Sequence, residues 1–347
     1  MLMNEGDRFI AQLYGAFDRA AQGGLTQLTL CVAGQHVRLL IAGEGMSVLL
    51  PALAHLVVPE QNDEDNALTI CLWDTASTGI HPPPPPWNEA QYGRHGEILG
   101  FNTAELRCAF DLGRSALYTW SAAAKLAICW TSDARILPAY ERGAPLLPIW
   151  HWWLSSRGDA LLHAAAVSCD GIGALIVGRG GSGKSTTALA CLSAGMDYLG
   201  DDYCAVTLGA RMHIHSLFCT AKVHRDNLHR LPRLQRTNRL DEEEKIVFDL
   251  CTEFAAGLAR CCQLSAILVP AFADRNDSSI EPVSPGLALR ALAPSTLFQL
   301  AASRASDFEH IAYLVKRTPC YRLWLGGAVG SIPDVVRELL RSTTHES

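Results

Sequence analysis

The sequence predicts two domains in series: a mostly antiparallel α+β domain over residues 1–145, and an α/β domain over residues 146–347 built around a glycine-rich loop. Three observations predict this. A chain of 347 residues exceeds what one core usually serves and fits two domains of ordinary size. Period-two apolar alternation dominates the first part, whereas strand–loop–helix order sets in after Leu146. The glycine-rich octet Gly178–Ser185 stands between an apolar strand and a helix, where such a loop functions. With 49% hydrophobic and 18% charged residues, the chain can bury large cores and lacks the composition of a disordered one.

The composition also narrows the function. A net charge of −6 gives no global attraction to nucleic acid or to an anionic membrane. Met1–Arg8 carries Glu5 and Asp7 and no apolar core, so it does not read as a secretory signal. No apolar run approaches the roughly 20 residues that span a bilayer. Twelve cysteines are dilute in a chain this long and show no Cys-x-x-Cys, which reads as reduced core thiols in a cytoplasmic protein.

Residues 6–22 predict an amphipathic helix, with Phe9, Ile10, Leu13 and Phe17 at helical spacing. Leu28, Leu30 and Val32, then Val37, Leu39 and Ile41, alternate as two strands of a hairpin turning at Ala33-Gly34-Gln35. A helix is expected around Met46–Leu56 and a strand near Leu68–Trp73. Pro82–Pro86 fits neither helix nor central strand and reads as a stiff extended loop. Strand-like runs follow at Ala104–Phe110, Ala116–Trp120 and Lys125–Thr131.

Leu147, Trp150, Trp153 and Leu154 predict a helix leading into the second domain. Ala164–Cys169 and Ala174–Val177 read as strands around a turn at Asp170-Gly171. The loop follows, then a helix from Lys184 to about Ala194 with Gly195 as its C-terminal cap. A short strand, Met196–Leu199, delivers Asp201 and Asp202 at its far end. Ala266–Val269 is a further buried strand.

Gly178-Arg179-Gly180-Gly181-Ser182-Gly183-Lys184-Ser185 fits G-x-x-x-x-G-K-[ST]. Gly178, Gly180, Gly181 and Gly183 let the backbone curl so that amides, including that of Ser182, face phosphate oxygens. The helix that follows through Ser185 and Thr186 aims its positive end at the same charge. Lys184 reaches the β/γ-phosphates, and the Ser185 hydroxyl can ligate magnesium. ATP and Mg2+ are therefore the expected ligands.

Asp201 and Asp202 lie 17 and 18 residues after Lys184, a spacing that a three-turn helix and a returning strand can close. Two adjacent carboxylates can divide two tasks, metal coordination and acceptance of a hydroxyl proton. The residues leave open which does which; with Ser185, Asp202 is taken as the metal-side candidate. His163 lies 21 residues before Lys184, at the start of a strand, where it can meet the γ-phosphate charge.

The run Leu162-His163-Ala164, Gly178–Ser185 and Gly200-Asp201-Asp202 resembles the bacterial HPr kinase/phosphorylase family, whose fold is related to phosphoenolpyruvate carboxykinase. The resemblance implies an ATP-dependent serine kinase, with the Asp pair serving magnesium and activation of the acceptor serine. It also implies self-association. The sequence is more similar still to the HPr-kinase-like proteins of lasso-peptide gene clusters, through Val37–Gly43, Leu49–Leu56, Leu289–Phe298 and Pro319–Leu323. That resemblance implies a peptide or small-protein partner, the C-terminal serine of a precursor peptide being the acceptor. The Leu-Glu-x-Arg-Gly segment of HPr kinases proper has no counterpart after the Asp pair, where Thr220-Ala221-Lys222-Val223-His224-Arg225 stands instead. A peptide is thus the expected acceptor rather than HPr.

Lys222, Arg225, Arg230, Arg233, Arg236 and Arg239 form a basic stretch followed by the acidic run Asp241–Glu244. Lys222, at the end of an apolar stretch, is its favoured site member. Arg290 is a candidate for charge supplied from a lid. No His/Cys spacing along the chain reads as a metal site, so magnesium is the one metal expected. A non-catalytic ATP-binding sensor and a kinase of a small-molecule hydroxyl would use the same loop, and both stay open at this point.

Overall fold

The structure, a computed structural model, describes residues 4–60, 66–242 and 245–344. Glu243 and Glu244 of the acidic run lie outside the described residues. The chain packs as two compact units. One comprises residues 1–50, 56–157 and 299–303, the other residues 51–55, 158–298 and 304–347. No helix among the described residues is long and apolar enough to cross a membrane.

The first unit begins with α1 (Glu5–Ala21), whose Asn4 cap accepts a hydrogen bond from the Asp7 amide at 2.8 Å and so satisfies one orphan donor of the first turn. Strands β1 (Leu25–Val32) and β2 (Gln35–Ala42) form the expected hairpin. Its turn is Ala33-Gly34, both with positive φ, the geometry that matches strand twist. The helix expected over Met46–Leu56 is instead two 3-10 turns, Gly45–Leu49 and Pro51–Leu56, the second falling almost wholly in the other unit. Pro51 has no amide to continue an α-helix. The rest of the unit is β3 (Val57–Val58), β4 (Leu68–Asp74), α2 (Thr75–Thr78), β5 (Leu106–Asp111), β6 (Ala116–Ser121), β7 (Leu126–Thr131), α3 (Ala139–Gly143) and α4 (Leu147–Ser156). Pro82–Pro86 lies in neither helix nor strand.

The sheet runs β3-β1-β2-β4-β7-β6-β5. It is antiparallel except at its centre, where β4 pairs in parallel with both β2 and β7. Phe9, Leu13 and Phe17 of α1 pack with Leu40, Cys71 and Trp73 from one sheet face, as the helical spacing requires.

The second unit is built on β8 (Ala160–Leu162), β9 (Ala164–Cys169), β10 (Ile172–Val177), α5 (Lys184–Ser193), β11 (Asp197–Gly200), β12 (Cys204–Thr207) and β13 (His213–Ser216). It continues through β14 (Thr220–His224), β15 (Arg239–Glu242), β16 (Lys245–Asp249), β17 (Cys261–Phe272), β18 (Ser279–Pro282), α6 (Pro285–Leu297), α7 (Ala305–Arg317), β19 (Cys320–Leu325) and α8 (Ile332–Thr344). A nine-stranded mixed sheet follows the order β11-β9-β10-β17-β13-β12-β8, with β19 added beside β17 and β18 beside β19. Strand β17 pairs in parallel with β10 along one edge; along the other, β13 takes its first part and β19 its second. A separate three-stranded sheet runs β14-β16-β15.

Alternation sorts the large sheet into two cores. Ala165, Val167, Ala174, Ile176, Ala266 and Leu268 face one side with Leu189 of α5 and Val336 of α8. Ala164, Ala166, Leu175, Val177 and Ile267 face the other with Leu292 of α6 and Leu314 of α7. The strands are apolar on both faces because helices cover both.

Candidate active site

Three paired strands bring the sequence candidates to one end of the sheet. Val177, the last residue of β10, pairs with Ala164, the first of antiparallel β9. The chain leaving β10 into Gly178 and the chain entering β9 from His163 therefore meet at the same end. Strand β11 is antiparallel to β9, with Gly200 opposite Ala166, so Asp201 and Asp202 emerge there too. The return from α5 to β11 depends on Gly195 (φ +82). Its amide bonds the Leu192 carbonyl and the Met196 amide bonds that of Cys191, both at 3.0 Å, a Schellman closure that needs a left-handed residue.

The loop Gly178–Gly183 runs from β10 into α5, whose cap residue Gly183 has no side chain to satisfy the helix's first amides. Those amides and the helix dipole favour an anion. Gly183 is required twice over. Its φ is +101, and an added Cβ would sit 2.4 Å from Leu325 Cδ1. Lys184 is 7% exposed and donates from Nζ to the carbonyls of Gly178 at 2.8 Å and Arg179 at 3.4 Å. Burial lowers its pKa, against the raising influence of Asp202 and Asp201. Ser182 Oγ is buried without a hydrogen-bond partner. Gly180 and Gly181 are exposed at the tip, and Thr186 is half-buried on the first turn of α5.

The two carboxylates have different surroundings. Asp202 Oδ1 lies 3.0 Å from His163 Nε2, and its Oδ2 lies 2.6 Å from Lys222 Nζ. Asp201 is 4% exposed, and its Oδ2 accepts the Lys222 backbone amide at 2.8 Å. Burial and the neighbouring Asp202 charge push Asp201 up to about 6, against the Lys222 amide and charge and the Ser185 hydroxyl. Burial also opposes the charge on Asp202, but the Lys222 ammonium and the His163 ring outweigh it and hold that carboxyl well below the usual range. Neighbours that shift two adjacent carboxyls in opposite directions suit them to different tasks.

His163 is 7% exposed, its amide donates to Thr296 Oγ1 at 3.1 Å, and its ring centroid lies 5.2 Å from that of Tyr203. Its Nδ1 is buried without a partner. The structure thus brings His163, Lys184, Ser185, Asp201 and Asp202 into one cluster with Lys222. The Ser185 hydroxyl favours the charged form of Asp201. Thr296 and Tyr203 are neighbours that the sequence did not single out. Tyr203 directly follows the Asp pair and was findable; Thr296, far away on α6, gave no signal.

Arg290 and Arg233 lie outside this cluster. Arg290 is exposed on α6, and among the described residues no hydrogen bond or ion pair joins it to the cluster. Arg233 stacks over Phe254 at 5.3 Å and donates to the Ser193 carbonyl at 2.8 Å, complementing the C-terminal end of α5.

Ser185, Asp201 and Asp202 offer an all-oxygen donor set, which suits a hard cation such as Mg2+. The loop amides and Lys184 offer donors for a polyphosphate.

No protein-family model matches the chain, and no curated protein matches it in sequence. Among solved structures, the Hpr(Ser) kinase/phosphatase from Coxiella burnetii is similar over 54% of this chain and 99% of that one, at 12% identity and a TM-score of 0.30. A likeness at that score bears on neither residue roles nor substrate.

Proposed function

We propose that this chain is an ATP-dependent serine kinase, transferring the γ-phosphoryl group of Mg-ATP to a hydroxyl of a peptide or small protein. The observation that carries the reading is the convergence, at one sheet end, of the Gly178–Ser185 loop with the His163–Asp202–Lys222 chain and Asp201. Phosphoryl transfer needs positioning and charge neutralisation more than covalent chemistry, and these are what the cluster offers. The sequence resemblance to lasso-cluster kinases nominates the C-terminal serine of a precursor peptide as acceptor.

The roles divide by surroundings. Ser185 and Asp201 are the pair that would hold Mg2+, because both offer oxygen donors and the Ser185 hydroxyl favours Asp201 in its charged form. When bound, the metal supplies positive charge to the β- and γ-phosphate oxygens. Lys184 exchanges the carbonyls of Gly178 and Arg179 for phosphate oxygens, keeping its buried ammonium satisfied.

Asp202 is the proton acceptor, its side chain being 27% exposed where Asp201 is sealed. A carboxylate has about four lone-pair sites; His163 and Lys222 take two, which leaves room for an acceptor hydroxyl. As the serine oxygen bonds the γ-phosphorus, the bond to the β–γ bridging oxygen breaks, ADP leaves, and the hydroxyl proton passes to Asp202. A carboxylate held this acidic accepts the proton late, which fits a loose transition state. His163 keeps Asp202 oriented.

The reading is tested with γ-radiolabelled ATP and peptides ending in Ser or Ala. Label entering only the Ser peptide supports it. Label entering neither peptide, at saturating enzyme-bound ATP, contradicts it.

A further inference from the structure

A second cluster of chemistry-bearing side chains lies in the same unit, away from the carboxylate pair. His55, Cys219 and Cys251 each present one ligand-type atom, and these atoms lie within 4.8 Å of one another. His55 belongs to the segment Pro51–His55 that packs with the second unit. Cys219 lies between β13 and β14, and Cys251 follows β16. Spacing along the chain gave no sign of the group, because its members come from three distant stretches.

Each member is held in place by its backbone. The Cys219 amide donates to the Ala52 carbonyl and the Leu250 amide to the Cys219 carbonyl, both at 3.0 Å. The Cys251 amide bonds Asp249 Oδ1 at 2.9 Å. Arg260 Nε donates to the His55 carbonyl at 2.8 Å. The His55 ring is held as well, with Nε2 2.7 Å from Ser216 Oγ. An Nε2–H donating to that hydroxyl leaves the Nδ1 lone pair open, and Nδ1 is buried with no hydrogen-bond partner. The two sulfurs stand 2.7 Å apart, closer than neutral thiols pack.

We propose that His55 Nδ1, Cys219 Sγ and Cys251 Sγ form a zinc site. Imidazole and thiolate donors suit this borderline-soft cation, with a water or the Pro51 carbonyl, 3.1 Å from Cys219 Sγ, in the fourth position. Ser216 is the outer-shell partner that fixes the ring tautomer. Tetrahedral zinc would part the sulfurs to about 3.8 Å, given Zn–S bonds of about 2.3 Å. A Cys219–Cys251 disulfide would account for the sulfurs alone and leave His55 Nδ1 buried and unsatisfied; a metal satisfies all three. The metal ties residues 51–55 to the start of β14, the strand that carries Lys222.

The test uses the full chain, prepared without oxygen, stripped with a chelator and titrated with cobalt(II) chloride. The expected result is saturation of a near-ultraviolet thiolate-to-cobalt charge-transfer band at one equivalent per chain, with the visible bands of tetrahedral cobalt, displaced by one equivalent of zinc. Cobalt on an oxygen-only magnesium site gives no such band, so the readout is separate from the kinase reading. Cys251→Ser, at a half-buried position, is expected to lower the band by about half and to weaken binding at least about tenfold, and His55→Gln to lose the tetrahedral spectrum. Absence of the band in the folded wild-type chain would overturn the proposal. So would its persistence in a Cys219→Ser/Cys251→Ser double variant, or mass mapping that finds the two cysteines oxidised to a disulfide in the anaerobic chain.

Discussion

Lys222 places its ammonium 2.6 Å from Asp202 Oδ2, while its backbone amide, from the same residue of β14, bonds Asp201 at 2.8 Å. One residue therefore distinguishes two adjacent carboxylates, pairing its ammonium directly with one and its backbone amide with the other, where its charge is a lesser influence than burial. The pairing explains why burial raises Asp201 while Asp202 stays ionised. The proposed division of labour rests on that difference.

Asp202→Asn is expected to lower the transfer rate by about 10² to 10⁴-fold, the usual loss with a general base, and to change Mg-ATP affinity only a few-fold. Asp201→Asn is expected to weaken Mg-ATP binding itself. Single-turnover kinetics and calorimetry on both variants separate the two effects. Normal turnover in both would remove the pair from the mechanism.

The pH dependence carries a definite sign. Mg2+ binding requires Asp201 without its proton, so affinity for Mg-ATP is expected to weaken as pH falls through about 6. The Asp202 charge is the second cause of that raised value, after burial. Asp202→Asn should accordingly move the midpoint to lower pH. Titration of Mg-ATP affinity against pH checks this; an unmoved or raised midpoint contradicts it.

Lys184→Met removes a buried ammonium whose charged form burial already disfavours. Replacing a buried charge by an apolar side chain of similar length is often neutral or stabilising. The variant is expected to keep its melting temperature within about 3 °C, equivalent to about 1 kcal/mol or less in a chain of this size, while losing ATP binding. A large drop in melting temperature would show instead that Lys184 serves folding.

Gly183→Ala combines a left-handed backbone with a 2.4 Å approach to Leu325 Cδ1. It is expected to destabilise the second unit by about 1–3 kcal/mol and to abolish nucleotide binding. Gly181→Ala meets open space at φ +78, so it carries only the strain of a left-handed non-glycine residue, about 1 kcal/mol. Denaturant unfolding of the two variants tests the ordering.

What the sequence made legible was local. The Ala33-Gly34 and Asp170-Gly171 turns, the Gly195 helix stop, the loop octet and the Asp pair each declare themselves within a few residues, through positive φ or phosphate chemistry. His163 was placed by its position before a strand. Long-range pairing was not legible. Nothing local signals that β4 runs parallel to both its neighbours, or that β17 divides one edge between β13 and β19. The support of His163 by Thr296 and the meeting of His55 with Cys219 and Cys251 also depend on contacts between remote segments. The helix expected over Met46–Leu56 failed for a nearby reason, since Pro51 interrupts the amide ladder and leaves two 3-10 turns.

The most direct test of the central claim is the intact mass of a Ser-terminated precursor peptide after incubation with the protein and Mg-ATP, with Lys184→Met as control. The account predicts a gain of one phosphoryl group on the terminal serine with the wild-type chain and none with the variant. An unmodified peptide in the presence of enzyme saturated with ATP, or equal modification by the variant, would contradict it.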